Sequence, residues 1–153
     1  MTESCQVDFY VLSSPGLDAR QMACRLALMS WERGHRTLVI AETESEAREL
    51  DDLMWESPPG RFLPHTVNGE AGSSLSSANA PVCIGLLEGL QQDELSGFNV
   101  AINLCTQPVP NPHHFSRLLE IVPQRDEARK ASRLKFKFYR DQGISPESHE
   151  INK

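Results

Sequence analysis

The stretch "VDFYVL", Val7–Leu12, decides the fold class of this sequence. It is a short apolar run rich in β-forming residues, and the turn residues "SSPG" end it, so it predicts a buried strand. The segment that follows, "LDARQMACRLALMSWERGH", predicts a helix in which Met22, Leu26 and Met29 repeat at helical spacing and Gly34 is the stop signal. A buried strand followed by a helix is the first half of a strand–helix–strand unit.

The same alternation is repeated in the next segment. "RTLVIA", Arg36–Ala41, predicts a second buried strand, and "TESEARELDDLMW" predicts a helix that reaches about Trp55. Thr43 and Glu46 have the spacing of a capping box at the start of this helix. Strands that alternate with helices indicate an α/β fold, with a mainly parallel sheet covered by helices.

The middle of the chain has a weaker pattern. Residues 56–81 are rich in Pro, Gly, Ser and Asn, which predicts a loop. Two further apolar runs, Val82–Leu87 and Phe98–Cys105, predict additional strands of the same sheet.

The last part of the chain is expected to be helical. "HFSRLLEIV", residues 114–122, predicts a short helix, and a break at Pro123 precedes a long helix over about Gln124–Gln142 that Gly143 ends. We therefore expect a single α/β domain over residues 1–143. Residues 144–153 are predicted to be a frayed C-terminal tail.

Composition excludes several classes of protein. The 153 residues are 39% hydrophobic and 24% charged, and no run approaches the ~20 apolar residues of a membrane-spanning helix. The N-terminus lacks the basic region and apolar run of a signal peptide. The four cysteines are scattered without a CxxC pair and predict reduced, buried thiols: Cys5, Cys24, Cys83 and Cys105. A cytoplasmic protein is expected.

Motifs for catalysis, phosphate binding and metal binding are absent from the sequence. The segment after the first strand, "SSPGLDAR", is neither GxGxxG nor GxxxxGK[ST], and there is no GxSxG elbow. The histidines lack partners at zinc-ligand spacing: His35, His65, His113, His114 and His149. We therefore expect no bound nucleotide, cofactor or metal. No motif in the sequence supports a catalytic site, and an enzyme stays an open alternative at this point.

The basic residues are concentrated near the C-terminus. Between Arg117 and Arg140 there are eight basic and three acidic residues, so this segment carries +5 and the rest of the chain −11, for a total of −6. An acidic body discourages general nucleic-acid binding, whereas a local basic face can attract an acidic partner.

The segment "RKASRLKFKFYR", Arg129–Arg140, places one phenylalanine among the cations. At about 100° per residue, an apolar stripe predicted to face the core falls opposite the cations: Ala131, Leu134 and Phe138. Phe136 falls on the basic side and is predicted to point outward. It either packs under a neighbouring loop or Arg stems, or it forms the floor of a pocket rimmed by Arg129, Arg133 and Lys137. Such a pocket suits a ligand with an apolar anchor and negative charges.

Motifs along nearly the whole chain resemble the chi subunit family of bacterial DNA polymerase III, an accessory part of the clamp-loader complex. They are "FYVL", then "W-x-RG-x-R-x-L-x-IA", then "LMW" followed by "F-x-PH" and "GE", and finally "VP…A-R…K-x-YR-x-x-G". The resemblance implies a Rossmann-like three-layer sandwich with helices on both faces of the sheet and no nucleotide-binding loop. It also implies a connector without catalytic activity.

The resemblance further implies a peptide site. Members of this family bind the acidic C-terminal tail of single-stranded-DNA-binding protein, which ends in Pro-Phe and a free carboxylate, and the tail-binding positions carry over to Val122, Arg129, Arg133, Phe136 and Lys137. Arg133 would hold the terminal carboxylate, and Phe136 and Val122 would contact the last phenylalanine. The sequence departs from the family pattern at Phe136, where tyrosine is expected, and at Arg129, where lysine is expected.

A second partner is implied as well. The family binds the psi subunit, and that surface carries over to Trp55, Phe62, Leu63 and Pro64. Two other functions stay open at this point. One is direct binding of single-stranded nucleic acid by the basic helix, and the other is a small α/β enzyme of unknown substrate.

Overall fold

A computed structural model of the chain describes residues 5–14, 16, 18–56, 65–67, 82–86, 98–109, 112 and 115–151. The strands are β1 (Gln6–Leu12), β2 (Thr37–Ala41), β3 (His65–Val67), β4 (Val82–Leu86), β5 (Val100–Asn103), β6 (Arg117–Val122) and β7 (Glu147–Ile151). The helices are α1 (Ala19–Glu32), α2 (Glu44–Glu56) and α3 (Asp126–Asp141). None of the helices in the described part of the chain has the length and apolar character needed to cross a membrane.

The strands form one sheet in the order β3-β4-β2-β5-β6-β1-β7, and every described pairing is parallel. The α/β fold with a mainly parallel sheet is therefore confirmed. Because β1 and β2 are separated by β5 and β6, α1 has to cross two strands to connect them.

The helices cover both faces of this sheet. On one face, Met22 of α1 and Leu50 of α2 belong to an apolar cluster with Val39 and Ile102 of the central strands. On the other face, Tyr139 of α3 belongs to a cluster with inward side chains of β1, β2, β5 and β6. The sandwich thus has three layers, as expected.

The predicted helix signals are confirmed in detail. The N–H of Glu46 donates to Thr43 Oγ1 at 3.1 Å, which is the first bond of a capping box. The return bond comes from the N–H of Glu42, one residue before Thr43, to Glu46 Oε1 at 2.9 Å. Gly34 and Gly143 follow α1 and α3 with φ of +84° and +86°, a conformation that favours glycine. Met29, predicted to be on the apolar side of α1, is instead 42% exposed.

The prediction of a short helix in "HFSRLLEIV" is wrong, because residues 117–122 form β6 in the interior of the sheet. β6 pairs with β5 on one side and β1 on the other. A parallel strand buried on both faces normally has a continuous apolar sequence. Here Glu120 interrupts the run, although its side chain is fully buried, and this interruption made the segment resemble an amphipathic helix.

The prediction of a frayed tail over residues 144–153 is also wrong, because Glu147–Ile151 form the edge strand β7 beside β1. The side chain of His149 stacks on the ring of Tyr10 at 5.4 Å, and its Nε2 lies 2.9 Å from Asp8 Oδ1. Most side chains of β7 are exposed, as expected for an edge strand, so its sequence lacks the apolar signal of the interior strands.

Within the described part of the predicted loop over residues 56–81, residues 65–67 form a strand. β3, His65–Val67, pairs with β4 and forms the opposite edge of the sheet, so the loop prediction is wrong for these three residues. Residues 57–64 and 68–81 lie outside the described part of the chain.

The four cysteines are buried and free of disulfide bonds, as predicted. Burial raises the pKa of Cys5, Cys24 and Cys105 to about 12. These thiols therefore stay protonated at physiological pH and act as small apolar side chains of the core.

A buried ion pair joins the sheet to α3. Lys135 Nζ donates to Glu120 Oε1 at 2.7 Å and to the carbonyl oxygen of Cys105 at 2.8 Å. The other carboxylate oxygen of Glu120 accepts from the hydroxyl of Tyr139 and from Asn103 Nδ2, the latter at 2.9 Å. We call these four side chains, Asn103, Glu120, Lys135 and Tyr139, the buried polar network. Both charges are compensated inside it, which is the condition for burying an ion pair.

Burial raises the pKa of Glu120, while the charge of Lys135 and the hydrogen bonds from Lys135, Tyr139 and Asn103 act in the opposite direction. Burial also raises the pKa of Tyr139, and the nearby carboxylate raises it further. Tyr139 therefore remains protonated, donates to Glu120 and accepts from the N–H of Val109 at 2.9 Å. Through this hydroxyl the segment after β5 is fixed to α3.

Removing one charge of the buried polar network should strongly destabilise the fold. We expect Lys135→Met to lower the free energy of unfolding by about 3–5 kcal/mol, because Glu120 loses its counter-charge in a dry environment. Adding Glu120→Gln to Lys135→Met should recover more than about 1 kcal/mol, since the lone charge is then removed as well. Urea unfolding of the parent, the single and the double variants measures this. A Lys135→Met variant whose free energy of unfolding lies within about 1 kcal/mol of the parent value would contradict this prediction.

Asp8 should make the stability of the fold sensitive to acid. Burial by itself would raise the pKa of Asp8, but hydrogen bonds from His149, Arg117 and Gln6 outweigh it and hold this pKa below its usual value. The unfolded chain therefore binds the proton more readily, and the contribution of Asp8 is lost as the pH falls below about 4.

We expect Asp8→Asn to lower the free energy of unfolding by about 1–2 kcal/mol at neutral pH. The difference from the parent should shrink as the pH is lowered from about 5 to 3, because the parent loses the same contribution. Urea unfolding across this range measures the difference, with Glu147→Gln on the exposed face of β7 as the control. A difference that stays constant with pH would show that Asp8 acts only through packing.

Candidate functional site

The orientation of α3 is set by its two buried residues, Lys135 and Tyr139. The predicted core stripe of Ala131, Leu134 and Phe138 is therefore wrong for Leu134, while Phe138 packs against the core as predicted. Leu134 is 72% exposed, and Ala131 and Phe138 are only partly buried. The reason is the ion pair to Glu120, which brings a lysine to the centre of the inward face and turns Leu134 toward solvent.

Phe136 lies at the boundary between core and surface. Its side chain is half-buried, and its ring centroid is 5.4 Å from that of Phe9 in β1. Phe9 also lies 6.1 Å from the ring of Tyr139. The prediction that Phe136 points outward is therefore wrong in part, because one side of its ring packs on the core strand β1 while the residue still reaches the surface.

An open pocket of about 520 Å³ lies on this part of α3. The residues that line it are Arg133, Phe136, Lys137, Arg140 and Asp141. Positions 133, 136, 137 and 140 have the spacing of residues on one face of a helix over two turns. The surface chemistry is an aromatic ring among three cations and one carboxylate.

The cations of the pocket have no ion-pair partner among the described residues. The salt bridges of the described part of the chain involve Arg20, Arg117, Lys135 and His149, and none involves Arg133, Lys137 or Arg140. An incoming anion therefore does not have to displace an internal carboxylate to reach these groups. Such a surface favours an anionic ligand with an apolar group.

The structure brings together three of the five residues predicted to bind a peptide tail. Arg133, Phe136 and Lys137 line the pocket side by side. Arg129 lies on the same helix one turn before Arg133, outside the pocket lining. Val122, at the end of β6, is only 1% exposed, packs in the same apolar cluster as Phe9 and is not among the described residues that line the pocket.

Two pocket residues were missed by the sequence analysis, Arg140 and Asp141. Arg140 follows Arg133 by seven residues, so the helical wheel places both on the same side. Asp141 follows Lys137 by four residues, so it also lies next to this face. Both spacings were available signals in the sequence.

The second predicted surface is mostly outside the described residues. Phe62, Leu63 and Pro64 are not described, and Trp55 lies in the last turn of α2 with a side chain that is not described either. His113 and His114 also fall outside. Within the described ranges, no group of three or more His, Cys, Asp or Glu side chains is arranged to hold a metal ion.

At the carboxyl edge of the sheet, where open α/β folds commonly bind ligands, the protein's own carboxylates accept several of the available donors beside an open cavity of about 350 Å³. Glu42 Oε1, just after β2, accepts from the N–H of Thr106 at 2.7 Å and from its hydroxyl at 2.9 Å, which bridges the ends of β2 and β5. At the start of α1, Asp18 accepts from the N–H groups of Arg20 and Gln21. These carboxylates take the positions and donors that a phosphate group would need.

Comparison with known proteins gives a consistent result. The family model described as "DNA polymerase III chi subunit, HolC" matches residues 4–147. The DNA polymerase III subunit chi of Pseudomonas aeruginosa is 36% identical over 149 residues, which are 95% of this chain and 96% of the relative. The subunit chi of Haemophilus influenzae is 32% identical, covering 88% and 90% of the two chains, and that of Escherichia coli is 30% identical, covering 90% and 92%.

A solved structure shows the same fold in a different protein. The crystal structure of T4 UvsW superposes with a TM-score of 0.68 at 8% sequence identity, covering 98% of this chain and 42% of that chain. At this identity the likeness concerns the fold alone. The family match and the three relatives carry the assignment: this chain belongs to the DNA polymerase III chi subunit family and is a replication accessory subunit, not an enzyme.

Proposed function

We propose that this chain is a connector that links the clamp loader, through the psi subunit, to the acidic, Phe-terminated C-terminal tail of single-stranded-DNA-binding protein. The observation that carries the proposal is the pocket on α3, where half-buried Phe136 lies among cations that have no described ion-pair partner. An aromatic ring among free guanidinium and ammonium groups is complementary to a chain end that carries phenylalanine and carboxylates.

The terminal carboxylate and the phenyl ring of the tail's last residue each have a matching group in the pocket. The planar guanidinium of Arg133 can bond both oxygens of a terminal carboxylate. The exposed part of the Phe136 ring offers an apolar contact to the last phenylalanine, and Phe9 holds that ring from behind. Lys137, and Arg129 one turn before Arg133, attract the aspartates that precede the last phenylalanine of the tail.

The charge distribution of the whole chain favours this orientation. The segment between Arg117 and Arg140 carries +5 on a body of −11. An acidic tail is therefore repelled by most of the surface and attracted to α3, which confines it to the pocket side. Because the pocket residues are exposed or half-buried, this attraction should weaken with salt.

The expected affinity of a single tail is modest. Burial of one phenyl group contributes about 1.5–3 kcal/mol, and a hydrogen bond to a charged group about 1.5–3 kcal/mol. Association costs at least about 4 kcal/mol, so these two contacts alone leave at most about 2 kcal/mol. A micromolar Kd corresponds to about 8 kcal/mol and therefore requires further charge-assisted contacts with the carboxylates of the tail. Several tails on one oligomer raise the overall affinity through effective concentration.

The psi part of the proposal rests on the family resemblance, which implies a psi-binding surface at Trp55, Phe62, Leu63 and Pro64. Trp55 ends α2, on the face of the sheet opposite to α3. If psi binds there, the two partners approach from different sides and can be held at the same time. A connector requires such separation.

Direct binding of single-stranded nucleic acid is the second candidate, because the same cations, which have no ion-pair partner in the described part of the chain, could contact phosphates. Single-strand binding relies on several aromatic rings on which bases stack. The pocket lining of α3 offers one, Phe136, whose ring is partly covered by the core.

The first prediction concerns the carboxylate-binding arginine. Arg133→Ala should weaken binding of a synthetic acidic peptide ending in Pro-Phe by at least about tenfold, because a charge-assisted hydrogen bond is lost. The midpoint of thermal unfolding should stay within about 2 °C, since Arg133 is exposed. Isothermal titration calorimetry measures the affinity, and Lys130→Ala, an exposed cation outside the pocket lining, is the matched control.

Parent-like affinity of the Arg133→Ala variant would remove the pocket assignment. An equal loss in the Lys130→Ala variant would indicate general charge attraction instead of a defined site. The same titration with a peptide whose C-terminus is amidated tests whether the pocket recognises the free terminal carboxylate.

A separate prediction distinguishes peptide from nucleic-acid binding. At a salt concentration where the peptide binds with roughly micromolar Kd, a single-stranded oligonucleotide should bind at least about tenfold more weakly, because the acidic body repels the phosphates. Fluorescence anisotropy with labelled peptide and labelled oligonucleotide measures both. Comparable affinities with a steep dependence on salt for the oligonucleotide would favour the second candidate.

A further inference from the structure

One end of the sheet is incompletely covered on the face that carries α1 and α2. On this face α1 makes its main contacts with β2, β5 and β6, and α2 with β2, β3 and β4. The strands β1 and β7 form the end of the sheet beyond β6, and no helix of the described ranges is centred over them on this side. Tyr10, His149 and Ile151 line this side of the two strands and are only partly buried or exposed. A strip of sheet two strands wide is therefore open beside α1.

The side of α1 that borders this open strip carries an exposed methionine between two arginines. Arg20 of α1 forms ion pairs with α2, and Met29 follows Arg20 by nine residues, which is a rotation of about 180° around the helix. Met29 therefore points away from α2, toward the end of the sheet that β1 and β7 form, and it is 42% exposed. Arg25 and Arg33 lie four residues before and after Met29 on the same side of the helix, and both are exposed.

Arg33 connects this side of α1 to the open strip. Burial raises the pKa of Tyr10, while the nearby charges of Arg117 and Arg33 act in the opposite direction. The hydroxyl of Tyr10 accepts from Arg117 Nη2 at 3.2 Å, and its ring stacks on that of His149 at 5.4 Å. The floor of the strip is thus an aromatic pair beside two guanidinium groups.

The open strip has the width of one helix. Neighbouring strands lie about 4.8 Å apart, so β1 and β7 together are about 10 Å wide. Helices that pack side by side are about 8–10 Å apart. One additional helix therefore fits over these strands, with Met29 beside it and Tyr10 and Ile151 beneath it, and it would complete the helical layer on this face.

The charges that border the strip determine which kind of helix fits. Neither Arg25 nor Arg33 has an ion-pair partner among the described residues, and both lie on the acidic body of the chain. Glu32, three residues after Met29, is on the side of α1 toward α2. Glu147 is on β7, at the outer edge of the sheet. A helix in the strip therefore meets cations along α1 and a carboxylate only on its far side.

We propose that the open strip and the Arg25–Met29–Arg33 side of α1 form a docking surface for an acidic amphipathic helix of a partner protein. The apolar ridge of that helix packs on Tyr10, Ile151 and Met29, and its acidic flank faces α1. This surface is separate from both partner surfaces of the proposed function. The pocket on α3 is on the other face of the sheet, and β3, which directly follows the psi-binding positions in sequence, forms the opposite edge. The inference therefore does not depend on that function.

A surface methionine without a partner makes a different prediction. Single exposed apolar residues are common on proteins and need no ligand. Any helix that bound weakly to such a residue would be selected by its hydrophobicity alone. The charge of the flank and the two arginines of α1 would then have no effect on the affinity.

The test uses the full chain and three synthetic peptides of about 18 residues, or about 27 Å of helix, which a side-chain cross-link holds helical. The first peptide has a leucine ridge with glutamates along one flank. The second has lysines at the glutamate positions, and the third keeps the glutamates but has glutamines in place of the leucines.

Fluorescence anisotropy with labelled peptides gives the affinities for the parent and for Arg25→Gln, Met29→Gln and Arg33→Gln. The matched control is Arg48→Gln, an exposed cation on α2. Arg133→Gln tests whether the peptide binds in the pocket on α3 instead. Thermal unfolding checks that each variant is folded.

We expect the peptide with the leucine ridge and the glutamate flank to bind the parent at least about tenfold more tightly than either of the other two. Each of the three substitutions on α1 should weaken this binding by about threefold or more, whereas Arg48→Gln and Arg133→Gln should leave it unchanged. In NMR spectra the methyl resonance of Met29 should shift on binding, and that of buried Met54 should not.

Equal affinities for the glutamate-flanked and lysine-flanked peptides would overturn the inference, as would parent-like affinities of the Met29→Gln and Arg33→Gln variants. Loss of binding in the Arg133→Gln variant would also overturn it, because the peptide would then occupy the pocket on α3. None of these results decides the proposed function, which is tested separately by titration of the phenylalanine-terminated peptide.

Discussion

The buried ion pair between Glu120 and Lys135 is the constraint on which the arrangement of this molecule depends. Glu120 is in the interior strand β6 and Lys135 is in the middle of α3, and the 2.7 Å contact between them fixes both the position of the helix and its rotation about its own axis. A rotation of α3 that buried Leu134 would withdraw Lys135 from Glu120 and leave a charge uncompensated in the core. The helix is therefore held with its cationic side at the surface.

The same contact places the candidate site. Lys135 and Phe136 are neighbours in sequence, and Tyr139 follows one turn later, so fixing the first and last of these residues determines where the ring of Phe136 lies. The ring contacts Phe9 and remains half-buried, which leaves it firm enough to support a ligand and accessible enough to touch one. The buried polar contacts beneath the pocket thus position its residues. The lining side chains do not need contacts with one another to hold this arrangement.

The alternation of strands and helices was predictable from the sequence, because Val7–Leu12 and Thr37–Ala41 are apolar runs with ordinary turn and capping signals around them. The strand β6 and the rotation of α3 about its axis were not predictable, and both have the same cause. Hydrophobic periodicity treats Glu120 and Lys135 as surface residues, whereas each is buried because the other compensates its charge. The exposed strand β7 was missed for the opposite reason, since an edge strand needs few apolar residues. In the pocket, the side-by-side placement of Arg133, Phe136 and Lys137 followed from helical spacing, while the burial of Val122 depends on packing that the spacing does not contain.

The location of the pocket also explains why this α/β fold acts as an accessory subunit. In open α/β sheets, the ligand commonly binds where the helices begin, since the N–H groups there bind phosphate. In this chain Asp18 binds those groups at the start of α1, and Thr43 and Glu46 do so at the start of α2. The start of α3 has no side-chain cap, and Glu42 bridges β2 to the segment after β5. Carboxylates thus accept several donors at this edge, although an open cavity of about 350 Å³ remains there beside Leu104 and Pro123. The pocket cations, which lack an ion-pair partner among the described residues, are on the outer side of α3. A site on the outside of a helix is shallow and open to water, which suits reversible attachment of a chain end and does not exclude solvent as most catalytic sites do.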